Sequence, residues 1–351
     1  MRYVRSILTK PRFWYMIASE REVSAVETIE YNGWFTLQWH ITHRCNLRCT
    51  HCYQDDYTAF ESADALFDVL GQYETLLREN RFKGFLNITG GEPLTHPELF
   101  RLLEEAKKRG VTTAVLTNGT LIGRVEAMRL KACGVDYVQV SLDGTEKTHD
   151  AIRGKGSFAR AVSGIHALLA QNIFTDVSFT AQRENKDELP ALARYCSDIG
   201  VDKLWFDRVV IPAAEDEKHL SLTKEEFKKL SRQAARLNRR RMVSCARALQ
   251  FIPCKSKSVY RCTAGDRLLT VLADGSVMAC RRLPLVFGNV RETELAAIYR
   301  DNPDLIRLRQ TPLPEACGKC RYAASCAGGA KCVTYAKTGR YDLPDPDCPL
   351  L

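Results

Sequence analysis

From Phe35 onward the chain alternates between short apolar runs and longer segments in which apolar residues return every three or four positions. Residues 35–42, FTLQWHIT, follow the first pattern and read as a strand. Residues 62–80 follow the second, with Leu66, Val69, Leu70, Tyr73 and Leu77 on one helical face. The same couple recurs four more times: FLNIT before a helix over 97–109, TAVLT before one over 124–133, YVQVSL before one over 157–170, and DVSFTA before one over 189–199. KLWFDRV (203–209) is a sixth strand. Six strands in succession, the first five each followed by a helix, predict an α/β fold with parallel strands and right-handed crossovers, as an open sheet or a full or partial barrel. In such folds chemistry gathers where strands end. Four signals fall there: a cysteine-rich loop after strand one, GGEP (Gly90 to Pro93) after strand two, TNGT (Thr117 to Thr120) after strand three, and SLDG (Ser141 to Gly144) closing strand four.

Past Val210 the rhythm breaks. A charged helix opens with Thr223 and Glu226 at capping-box spacing. A hairpin is predicted to turn at Asp274-Gly275, with Cys262 before it and Cys280 at its end, and a short helical stretch leads into a tail holding Cys317, Cys320, Cys326, Cys332 and Cys348. The expected divisions are an N-terminal docking segment over 1–34, a core over 35–215, a helical linker over 216–253, and a cysteine-rich domain over 254–351.

Composition narrows the function classes. Hydrophobic residues are 45% of 351, enough for a substantial buried core, and no apolar run reaches the roughly 18 residues that span a bilayer. The first twenty residues mix Arg2, Arg5, Lys10 and Arg12 with aromatics and lack the clean apolar stretch of a secretion signal. Fourteen cysteines without that signal point to metal ligation in a reducing, cytoplasmic setting rather than to disulfides. The formal charge of +9 counts every thiol as neutral. Its densest run, NRRRM (238–242), closes a predicted helix where cations suit the dipole, so neither nucleic acid nor a membrane is an expected partner.

The loop CNLRCTHCY spaces Cys45, Cys49 and Cys52 as C-x3-C-x2-C. Three thiolates hold three irons of a 4Fe-4S cubane, normally held by four cysteines, and leave one iron open to a cofactor or substrate. The other reading is a closed zinc shell completed by His43 or His51. Structural zinc sites usually pair two ligands with two more farther along, whereas this loop stands alone on a catalytic rim.

CNLRCTHCY followed by TGGEP resembles the radical S-adenosylmethionine (SAM) superfamily over roughly residues 35–210. The resemblance implies a partial (β/α)6 TIM-type barrel and a cluster whose open iron takes the amino and carboxylate groups of S-adenosylmethionine. It also implies reductive cleavage of that cofactor to a 5'-deoxyadenosyl radical, which abstracts hydrogen from a substrate. By position, Cys45, Cys49 and Cys52 would ligate the cluster and Tyr53 would approach the adenine. Gly90, Gly91 and Glu92 would meet the methionine amino group. Asn118 in TNGT, Ser141, and Arg153 in HDAIRGKGSF would complete the cofactor's polar surroundings; the guanidinium fork suits a carboxylate. No catalytic proton donor or acceptor is assigned.

The tail is similar to the SPASM extension of this superfamily, which implies two auxiliary 4Fe-4S clusters and three in all. By resemblance Cys254, Cys262, Cys280 and Cys332 would hold the first, and Cys317, Cys320, Cys326 and Cys348 the second. CAGGAKC places five residues between Cys326 and Cys332 where the family usually has three. If Cys254 instead stands aside, the first cluster keeps an iron open to substrate. These clusters would relay an electron or clamp a substrate. Cys133, Cys196 and Cys245 remain outside any cluster.

SLDG, HDAIRGKGSF and a complete tail are most like the maturases of ribosomally made peptides, which install thioether or carbon-carbon crosslinks. That implies a precursor peptide as substrate, a flavodoxin or ferredoxin as reductant, and, with only 34 residues before the first strand, a separate leader-binding protein or a leader held by the core. Tetrapyrrole side-chain processing, as in haem-pathway members, is the alternative. Sulfatase-type maturation fits less well, because those enzymes place an acidic base directly after the hairpin-end cysteine, where this chain has Arg281.

Overall fold

In a computed structural model the described residues are 33–211, 216, 220–255 and 259–351. The docking segment expected over 1–34 lies, except for Gly33 and Trp34, outside them. Six parallel strands run in chain order across one sheet: β1 (Trp34–His40), β2 (Lys83–Thr89), β3 (Thr112–Thr117), β4 (Tyr137–Ser141), β5 (Phe174–Ala181) and β6 (Lys203–Arg208). The helices between them are α1 (Ala63–Asn80), α2 (Leu99–Lys108), α3 (Arg124–Ala132), α4 (Glu146–Arg153), α5 (Ser157–Ala170) and α6 (Leu189–Asp198). Strand β1 does not close onto β6, so this is the open, partial (β/α)6 barrel. The short helix α4, unread in the sequence, carries Arg153 at its last position.

Local signals explain where elements begin and stop. The Ser62 hydroxyl accepts from the Ala65 N–H at 3.2 Å, and α1 ends at Arg81, held at φ 55°. The helix α7 (Lys224–Asn238) opens on the capping box foreseen, with Thr223 Oγ1 accepting from the Glu226 N–H and the Glu226 carboxylate accepting from the Thr223 N–H. Along β1 the odd positions Phe35, Leu37 and Trp39 join the main core between sheet and helices, and the intervening Gln38 and His40 face the barrel interior. A smaller interior cluster of Phe85, Ala114, Leu116 and Tyr137, with Trp34 and Phe174 packed on it, plugs the barrel.

Beyond the barrel, α8 (Phe251–Cys254) precedes β7 (Leu268–Val271), β8 (Ser276–Cys280) and β9 (Leu283–Asn289); α9 (Leu295–Asp301), α10 (Pro303–Arg309), α11 (Ala323–Cys326) and α12 (Lys331–Thr338) follow. The hairpin turns at Asp274-Gly275 as expected, with Gly275 at φ 85°. What the sequence did not disclose is that β7 adds in parallel to β1, so the hairpin and β9 extend the barrel's own sheet to nine strands. The β6 edge is covered by a bridge in which the Ser244 N–H donates to the Leu204 carbonyl at 2.8 Å. Among the described residues no strand pairs with the outer edge of β9.

Candidate active site

The cysteine loop leaves β1 and is stitched to the rim through its backbone. Thr50 N–H donates to the Ile152 carbonyl at 2.9 Å, tying the loop to α4. Gly91 and Glu92 N–H groups donate to the Thr42 and Arg44 carbonyls at 2.7 and 2.8 Å. This contact accounts for the two glycines: a Cβ at Gly90 would collide with the Thr42 carbonyl, one at Gly91 with those of His43 and Arg44, and Gly90 has φ 150°. Their close approach is therefore to the cysteine loop.

Cys45, Cys49 and Cys52 lie within electrostatic reach of one another. Burial pushes the Cys45 thiol up to about 11, and burial likewise raises Cys49, against which the Arg153 guanidinium works. Arg153 Nη1 lies 3.9 Å from Cys49 Sγ, and its Nε donates to Asp143 Oδ2 at 2.6 Å. Asp143 is the functional residue that motif reading passed over, although it stands inside SLDG. Fully buried, its carboxylate is held below the usual range because Arg153, His51 and the Thr180 N–H outweigh the cost of burial. Tyr53 is 55% exposed, with its ring 6.3 Å from that of His40.

Glu92 is wholly buried, and burial raises its carboxyl to about 7. Its oxygens accept from Thr117 Oγ1 at 2.7 Å, the Asn118 N–H at 2.8 Å and the Leu94 N–H at 3.2 Å. Asn118 Nδ2 donates in turn to Asn46 Oδ1 at 2.9 Å, inside the cysteine loop. Ser141 ends β4 in register with Ser178 on β5. The ends of β1 to β4 and the segments after them thus carry Tyr53, Gly90, Gly91, Glu92, Asn118, Ser141 and Arg153 on one rim with the cysteine loop. Cofactor contacts from Tyr53, Asn118, Ser141 and Arg153 are proposals, whereas Gly90 and Gly91 pack against the cysteine loop and the buried Glu92 carboxylate is taken up by Thr117, Asn118 and Leu94.

The second cysteine set falls into two groups. Cys262, Cys280 and Cys332 lie together, with the Arg282 guanidinium beside them. Cys317, Cys320, Cys326 and Cys348 line one apolar cavity with Leu249, Phe251 and Ile252. Burial pushes the Cys332 and Cys326 thiols up to about 12. The extra residues in CAGGAKC form a turn, with Gly328 and Gly329 at φ 91° and 90°, and Cys332 keeps its place beside Cys262 and Cys280. Cys254 is disulfide-bonded to Cys245, so in this form its sulfur is not free to act as the fourth ligand of the first group. Cys133 and Cys196 are buried core residues.

Two family profiles match in order: the radical SAM superfamily over residues 39–196, and SPASM, the iron-sulfur cluster-binding domain, over residues 262–321. Residues 39–196 are thus a radical SAM domain and residues 262–321 a SPASM domain. Pre-heme d1 synthase of Dinoroseobacter shibae is 28% identical to it, covering 88% of this chain and 85% of that protein. Mycofactocin maturase MftC of Mycobacterium ulcerans is 29% identical, covering 89% and 87%. The fold is that of native anSMEcpe with bound AdoMet and Cp18Cys peptide, with TM-score 0.72 and 20% identity over 89% of this chain and 93% of that one.

This radical SAM enzyme accordingly uses S-adenosylmethionine, a 4Fe-4S cluster and auxiliary iron-sulfur clusters, and its donor sets fit them. Three thiols within electrostatic reach of one another, of which Cys45 and Cys49 are raised by burial, suit iron, which stabilises thiolates. Two further groups of three and four thiols suit the auxiliary clusters. Among the described residues no three His, Cys, Asp or Glu side chains converge as a single-ion site. His43 Nδ1 lies 3.4 Å from Asp56 and His51 Nε2 lies 3.7 Å from Asp143. When bound, the cofactors supply the electron and the radical. The protein's part is to hold the loop by backbone bonds and to place Arg153 against Cys49.

Burial also holds three rings neutral, His40 at about 3 and His51 and His149 at about 4. Because these folded values lie below the unfolded one near 6.5, the stabilisation is present above about pH 6.5 and is lost as pH falls toward the folded values. Each ring should cost about 2 kcal/mol by about pH 5. Urea midpoints of iron-free protein should fall steeply between about pH 7.5 and 5; a flat profile would contradict the assignment.

Proposed function

We propose that this radical SAM enzyme abstracts hydrogen from a ribosomally made peptide and installs a thioether or carbon-carbon crosslink. The observation that carries the reading is the open edge of β9. It starts two residues after Arg281 and presents Leu285 half-buried and Val286 59% exposed. An extended peptide can add to such an edge through its main chain, with alternate side chains giving specificity, and the added strand would have one end beside the barrel interior. Pro284 falls at the register shift between Leu283 and Val286 and suits an edge strand or a bulge. Kinship with MftC and PqqA peptide cyclase, and the shared fold of the peptide-bound anSMEcpe and SuiB structures, support it.

The precursor peptide, a flavodoxin or ferredoxin reductant, and a separate leader-binding protein are the partners this reading calls for. A second reading, tetrapyrrole side-chain modification, draws on pre-heme d1 synthase and Fe-coproporphyrin III synthase among the relatives. Anaerobic incubation with S-adenosylmethionine, dithionite and short Cys-rich or aromatic-rich peptides encoded beside the gene separates them. The account expects a peptide whose mass falls by the two hydrogens lost on crosslinking. Unchanged peptides together with a spectral change of added coproporphyrin III would overturn it.

A further inference from the structure

Arg281 is a cation that neither the cofactor framework nor an ion pair among the described residues uses. Arg281 follows the last residue of β8, and its neighbour Arg282 is committed to Asp207 at 2.8 Å. Arg208, the other arginine at the barrel end, is committed to Asp345 and Asp347. Arg281 is half-buried, and no carboxylate among the described residues pairs with it. It lies instead against the Tyr53 hydroxyl and within electrostatic reach of His40. His40 is buried, with its Nε2 unpartnered, and its ring is 6.3 Å from that of Tyr53. A guanidinium without a counter-ion, an exposed phenol and an unpartnered imidazole nitrogen thus face one space, directly after the cysteine loop and directly after Cys280.

That donor set selects for an anion. A guanidinium pairs a carboxylate through two parallel N–H groups, and the phenol and a neutral imidazole N–H each add a donor. Binding such an anion would satisfy the buried His40 nitrogen and neutralise Arg281, relieving two costs at once. We propose that Arg281, Tyr53 and His40 form a carboxylate subsite that anchors an Asp or Glu side chain of the peptide substrate beside the radical-generating rim. Arg281 is then a specificity-determining residue, and the proposal rests on the peptide reading of the function.

The test uses cluster-reconstituted holoenzyme with S-adenosylmethionine and fluorescein-labelled, C-amidated hexapeptides in matched pairs, Glu against Gln and Asp against Asn at one position. For the best-binding pairs, wild-type protein should prefer the acid by about tenfold, between the values for exposed and buried charge pairs. Arg281→Met should bring that ratio to near one, and Arg281→Lys should leave it intermediate. Because the readout is a ratio within each protein, partial loss of folded material does not move it. A wild-type ratio near one, or an unchanged ratio in Arg281→Met, overturns the subsite. Coproporphyrin III serves as the separate arm: binding to it that depends on Arg281, with no peptide binding, keeps the anion subsite and overturns the peptide reading.

Discussion

Holoenzyme carrying Cys49→Ala should contain roughly eight irons per chain instead of roughly twelve, and should form no deoxyadenosine from S-adenosylmethionine. The loop cluster has only three protein thiols, so removing one leaves two. Cys49 is also the thiol that Arg153 approaches, and Arg153 in turn is fixed by buried Asp143. The effect should be confined to this loop, because the seven thiols of the auxiliary groups sit on other elements. Iron analysis with product quantification checks it. Retention of about twelve irons would mean that another ligand completes the loop site.

Arg208→Met is expected to destabilise the protein by about 3–5 kcal/mol, since removing one partner of a buried ion pair strands the other charge. Arg208 ends β6 and reaches the C-terminal tail, donating to Asp345 at 3.0 and 2.8 Å and to Asp347 at 2.7 Å. All three side chains are buried. Asp347 retains Lys337 at 2.6 Å, whereas Asp345 keeps only backbone donors such as the Ala330 N–H. Asp345 and Asp347 lie within three residues of Cys348, so the loss should appear as a lower urea midpoint together with loss of the cluster proposed at Cys317, Cys320, Cys326 and Cys348. The loop cluster should survive. An unchanged midpoint would show that this bridge does not join barrel and tail.

How much of this was legible beforehand follows from the range of the interactions. Strand-helix alternation, the Thr223 cap and the Asp274-Gly275 turn are local, so period and capping chemistry reveal them. The cysteine loop and GGEP also lie close enough in sequence to be matched as a pair of motifs. The addition of β7 to β1 is set by packing between residues more than 200 positions apart, and nothing in LLTV names its partner. Arg208 reads as the charged end of a strand until Asp345 arrives from 137 residues away. Cys245 carried no motif, and its bond to Cys254 comes from the path of the chain around Phe251. Asp143 was in view within SLDG, but only the fold shows that its carboxylate holds Arg153 and faces His51.

The central claim is that the iron left without a protein thiolate in the Cys45–Cys49–Cys52 loop is where S-adenosylmethionine binds. Electron-nuclear double resonance of the reduced holoenzyme, with the cofactor isotopically labelled in its methionine amino nitrogen, tests this most directly. A strong coupling between that nitrogen and a cluster is expected in wild-type protein and should be absent in Cys49→Ala. A coupling that persists in Cys49→Ala, or is missing from wild-type protein that still cleaves the cofactor, would contradict it.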